Sequence, residues 1–87
     1  MSKINSYIGF AIKSRKVVYG TDNILINKNC QLVIVSDSIA QNTLQKLQNK
    51  NLKIIVMPQA EYKTLNLKGL AIAITDQSLA QAIQNNF

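Results

Sequence analysis

Lys13-Ser14-Arg15-Lys16-Val17-Val18-Tyr19-Gly20-Thr21-Asp22-Asn23 is the stretch with most chemistry to offer. Cations at 13, 15 and 16 lead into a short β-branched run, and a glycine then hands over to a polar cluster that reads as a helix start. Backbone N–H groups at a helix start are unpaired and carry partial positive charge, so phosphate is favoured there. Lysines and an arginine beside such a terminus deepen the attraction. The residue types therefore point to a docking edge for a phosphate-rich polymer, RNA in particular. A solvated helix end followed by an ordinary turn uses similar residues, and the helix dipole alone favours one or two cations at a C-terminus. Three of them before Gly20 exceed that requirement.

Catalytic chemistry is thinly supplied. The chain has no histidine, and its single thiol, Cys30, has no imidazole to activate it. That removes the usual nucleophilic triads and histidine-based metal sites, so neither an enzyme nor a cofactor is expected. The carboxylates Asp22, Asp37, Glu61 and Asp76 are scattered, mostly where helices should begin. Capping explains them better than acid–base pairing does. Ligands of open α/β sheets often sit beyond the carboxyl ends of strands, which here would mean Ser36-Asp37-Ser38 and Thr75-Asp76. Cys30 comes before its strand, the wrong end for a phosphocarrier, and reads as a small buried hydrophobe.

Eighty-seven residues make one domain, 1–87, with a core that has little slack. Ten Lys and Arg against four Asp and Glu leave a net charge of +6, which favours a polyanionic partner. No segment approaches the ~18 apolar residues needed to span a bilayer, and no basic amphipathic helix stands out, so a membrane is not expected to be that partner. The start of the chain lacks the apolar core of a secretory signal, and one unpaired cysteine suits a reducing compartment; both lead to an expected cytoplasmic location.

The docking stretch must be held by the elements around it. Ile4, Tyr7, Ile8 and Ala11 give a helical period over 3–13, with Ser2 as cap, Gly9 as a close packing contact, and Phe10 and Ile12 widening the apolar face. Residues 17–19 form a short strand, and Thr21 or Asp22 caps a helix running to about residue 29, with Lys28 near its far end. The continuous apolar run 31–36 reads as a strand buried on both faces. Ser38 with Gln41 fits a capping box for a helix over 39–49 presenting Ile39, Ala40, Thr43, Leu44 and Leu47 inward. A second buried strand over 53–57 ends at Pro58, and strand–helix–strand implies a right-handed parallel crossover. Residues 59–68, with Tyr62, Leu65 and Leu67, show no clean period and read as one helical turn within a loop. Strand 70–74 follows Gly69, and Thr75 or Asp76 caps a last helix with Leu79, Ala80, Ile83 and Phe87 inward. The alternation predicts a three-layer α/β/α sandwich around a small mixed four-stranded sheet.

Several strings in this order resemble the L-seven-Ae and L-thirty-e superfamily of kink-turn-binding ribosomal proteins, and its bacterial YlxQ-like branch most closely. They are Ile8-Gly9-Phe10-Ala11 with Lys13 to Gly20, then Cys30 to Ser36, Gln41-Asn42-Thr43, and Leu70 to Asp76 with Leu79-Ala80. The resemblance implies that Gly20 and Thr21 allow close backbone approach while Asp22 and Asn23 read base edges of a sharply bent RNA. Lys13, Arg15, Lys16 and Lys28 would then hold phosphates, the sequence-independent part of binding. Asp22-Asn23 stands where the family often has Asn-Glu, Ile26 where it has a lysine, and the region 59–69 is shorter than the family's apolar loop. The implied protein is a monomeric, non-enzymatic binder of structured RNA, ribosomal or other non-coding, with ribosomal or transcription and translation proteins as possible neighbours. A protein-interaction module on the same fold is the other reading, and a small phosphate-binding domain a third.

Overall fold

Apolar runs of strand length alternate with helix-period segments, and the computed structural model, which describes residues 3–65 and 69–86, turns them into one sheet between two helical layers. The order is α1 (Lys3–Lys13), β1 (Val17–Tyr19), α2 (Thr21–Ile26), β2 (Leu32–Ser36), α3 (Gln41–Gln48), β3 (Ile54–Met57), α4 (Gln59–Thr64), β4 (Ala71–Ile74) and α5 (Gln77–Asn85). Ser2, Leu67 and Phe87, and the side chain of Ile4, lie outside the described residues.

The sheet order is β1-β4-β2-β3. β2 and β3 are parallel, with Val33 opposite Ile54 and Ser36 opposite Met57, as the crossover through α3 requires. β4 lies between β1 and β2 and runs against both, so that Ile74 faces Val17 on one side and Leu32 on the other. Alternation along the strands then fills two cores. Leu32, Ile34, Ile72 and Ile74 pack with Ile8 and Ala11 of α1, Tyr62 of α4, and Ala80 and Ile83 of α5. Val33, Val35, Ala71 and Ala73 pack with Ile24 of α2 and Leu47 of α3. The expected mixed α/β sandwich is present.

Local details depart from the sequence expectations where side chains find partners outside their own helix. Helix α3 starts at Gln41, and its N-cap is Ala40, which has no side chain to serve it. Ser38 is instead drawn into a turn, its N–H donating to Ser36 Oγ at 3.0 Å, while Ile39 N–H donates to Ser36 O. Ala40 is exposed rather than inward. Asp37 serves a different helix, its Oδ1 accepting from Gln59 N–H at 3.0 Å where α4 begins. Ser36 Oγ donates to Gln59 Oε1, tying the same helix start to the end of β2. Strand β3 is an edge, not a doubly covered strand, and Val56 is 47% exposed. Phe10 is 58% exposed and does not widen the packed face of α1. Asp76 caps α5 as expected, its Oδ2 accepting from Leu79 N–H at 2.9 Å.

Gly9 is no packing contact, because a Cβ built there meets nothing within 4 Å. Gly9→Ala is therefore expected to stabilise the fold by about 0.5–1 kcal/mol, through helix propensity and a less mobile unfolded chain, read as a raised midpoint in urea. Tyr62 is 2% exposed, and its hydroxyl has no hydrogen-bond partner among the described residues. Burial, then the nearby Tyr19, pushes its phenol up from 10 to about 12. The folded state thus holds the proton that the unfolded chain releases near pH 10, so stability falls as pH rises through about 12. Tyr62→Phe should keep or raise stability at pH 7 and lose less of it than wild type under alkali. A loss above about 1 kcal/mol at pH 7 would show that the hydroxyl is bonded after all.

Candidate nucleic-acid interface

Helix α1 ends by a reversal that shapes the basic loop. Lys16 N–H donates to Ala11 O at 2.8 Å and Arg15 N–H to Ile12 O at 3.1 Å, the paired bonds of a Schellman motif. That motif needs a left-handed residue, usually glycine, and Arg15 occupies the position at φ 60°. Lys13, Arg15 and Lys16 are all exposed. Lys16 Nζ lies 3.8 Å from Asp76 Oδ1, with the side chains 48% and 29% exposed. Water screens such a pair strongly, and the lysine stays accessible.

Gly20 opens α2 from the far end of β1. Its φ of 87° is a conformation that a side chain would strain, and its N–H donates to Ala71 O at 3.2 Å. Gly20 itself is the N-cap, so neither Thr21 nor Asp22 caps the helix as expected. Thr21 is half-buried, and Asp22 is exposed in the first turn. Asn23 Nδ2 donates to Tyr19 O at 2.9 Å, which commits one side of its amide to the protein. The helix stops at Ile26, short of the expected residue 29, because Asn27 Oδ1 accepts from Asn29 N–H at 2.7 Å and starts the exit turn.

The register of β1 separates the two halves of the sequence-predicted site. Thr75 N–H donates to Lys16 O, at one end of the β1–β4 pair, and Gly20 bonds Ala71 at the other. Four residues of extended chain span roughly 13 Å. Lys13, Arg15 and Lys16 therefore do not deepen the field at the start of α2, contrary to the expectation from their sequence proximity. They are joined instead by Lys28. Its loop leads to Gln31, whose N–H donates to Ile74 O at 2.8 Å, at the end of β4 where Lys16 sits. The structure thus brings Lys13, Arg15, Lys16 and Lys28 to one end of the sheet and Gly20, Thr21, Asp22 and Asn23 to the other.

Lys50 and Lys53, which the sequence reading passed over, precede β3 at the first of these ends and are exposed. The signal for them was the crossover itself, since parallel strands begin at the same end. Cys30 is half-buried, with its Sγ 3.9 Å from Ile24 O. Burial pushes its thiol up and the Lys50 ammonium draws it partly back, so it is a poor nucleophile at neutral pH. Among the described residues no His, Cys, Asp or Glu side chains gather as a metal site, and no helix is long and apolar enough to cross a membrane.

No family model matches this chain, and no curated protein matches it. Among solved structures, a protein with unknown function from Bacillus halodurans C is similar over 98% of this chain and 96% of its own. The TM-score is 0.83 at 20% identity, so the likeness shows a shared α/β fold and nothing narrower.

Proposed function

We propose that this chain is a non-enzymatic RNA-binding protein that holds a folded RNA, ribosomal or another non-coding RNA, chiefly through phosphates. The observation carrying this reading is that two separate loops deliver Lys13, Arg15, Lys16 and Lys28 to one end of the sheet, all exposed, on a chain of net charge +6. Arg15 offers a planar fork suited to phosphate oxygens, and the lysines add point charges. Base reading by Asp22 and Asn23 would require the RNA to follow β1 to its other end. The phosphate contact needs no such path. A catalytic role has no comparable support, given a chain without histidine and a thiol held protonated by burial.

The reading is tested with a fluorescein-labelled stem-loop RNA carrying tandem G·A pairs and a plain hairpin of equal length. Affinity is followed by anisotropy between about 50 and 200 mM salt. Replacing Lys13, Arg15 and Lys16 together by Gln should reduce the salt slope by about 2–3 units on both RNAs. Unchanged affinity in the triple variant overturns the assignment of the loop. A wild-type protein that binds neither RNA leaves the interaction-module reading in its place.

Arg15→Gly separates binding from folding. Glycine relieves the left-handed backbone, so stability should rise by up to about 1 kcal/mol, while the lost charge weakens RNA binding. Urea melts and the same anisotropy titration should move in opposite directions.

A further inference from the structure

We propose that the RNA-contact surface continues past the α1–β1 loop across the starts of β2 and β3, with Lys50 and Lys53 holding phosphates of the same RNA. The proposal rests on the RNA-binding reading above and names the rest of its surface. β1, β2 and β3 all begin at one end of the sheet, since β4 runs against both β1 and β2 and the α3 crossover makes β3 parallel to β2. Four neighbouring strands cover about 14 Å between the outer pair, room for several consecutive phosphates. Val33 N–H donates to Lys53 O at 2.8 Å, which fixes Lys53 beside the start of β2. Cys30, two residues after Lys28, and Leu52, between Lys50 and Lys53, pack against the same core cluster, so the α3 exit borders the loop carrying Lys28.

Sequence and structure agree on the character of this end. Both α2 and α3 leave through the same tripeptide, Asn27-Lys28-Asn29 and Asn49-Lys50-Asn51, with Asn51 taking a left-handed φ of 58°. These exits interleave cations with amides. Amides can bond phosphates, 2′-hydroxyls and base edges, and the exposed Phe10 and Ile26 in the last turns of α1 and α2 give splayed bases an apolar surface beside them. Asp22, Asp37 and Glu61 lie towards the opposite end, at the start of α2, after β2 and in the first turn of α4. Among the described residues Asp76 is the carboxylate at the basic end, where it is engaged by Lys16 and Leu79 N–H. A polyanion is therefore drawn more strongly to the basic end than to the other, where carboxylates offset cations such as Lys63.

The test uses the same two labelled RNAs and vesicles containing phosphatidylserine. Lys50→Gln with Lys53→Gln should lower the salt slope by about 1.4–1.8 units on both RNAs, and the double Arg variant should retain it. Lys53→Gln should lower the slope while Lys63→Gln, which removes the same charge from α4, leaves it in place. A wild type that binds neither RNA overturns the RNA-binding reading itself. A slope lowered by the Lys13, Arg15 and Lys16 variant but unmoved by the Lys50 and Lys53 pair overturns only the extension. Equal effects of Lys53→Gln and Lys63→Gln, or vesicle binding as tight as RNA binding, would each overturn it too.

Discussion

The antiparallel seating of β4 between β1 and β2 is the constraint on which the arrangement of charge depends. A strand paired antiparallel to two neighbours forces those neighbours to run the same way, and the crossover then adds β3 in that sense. Every loop that enters one of these three strands consequently gathers at one end. No ion pair or side-chain network is needed to assemble the cations, which would otherwise repel one another. Ile72 and Ile74 of β4 are fully buried, and truncating a buried isoleucine costs about 2–5 kcal/mol. The charge pattern is thus as secure as the hydrophobic core.

The two faces of that central strand divide the labour of packing. Isoleucines at 72 and 74 meet the layer of α1, α4 and α5, while alanines at 71 and 73 meet α2 and α3. Small side chains let a helix as short as α2 lie close against the sheet and still bury Ile24 completely. The exits of α2 and α3 are placed by this packing and by strand direction, and their Asn residues then turn the chain.

Much of the fold was legible because it follows from local apolar pattern. The unbroken runs at β2 and β4, the helical spacing of Ile8 and Ala11, and the Asp76 cap three residues before the N–H it serves are all short-range signals. Asp37 was misread because its partner, Gln59 N–H, is distant in sequence and adjacent only through the parallel pairing of β2 and β3. The site was legible in residue type but not in place. Lys16 and Gly20 are four residues apart, which is about 6 Å along a helix but roughly 13 Å along a strand. That conversion parts the basic loop from the start of α2. Lys50 and Lys53 were hidden because they are remote in sequence from Lys13, Arg15 and Lys16, although the crossover topology implied where they belong.

The concentration of cations at the strand-start end, with Asp22, Asp37 and Glu61 towards the other, gives the molecule a permanent electric dipole along the sheet. In the field of an approaching polyanion such a dipole experiences a torque before any atoms touch, and the protein rotates positive pole first. Orientational search, which ordinarily slows docking far below the diffusion limit, is shortened accordingly. A domain of 87 residues without long arms or tails in its described fold can thereby arrive already aligned.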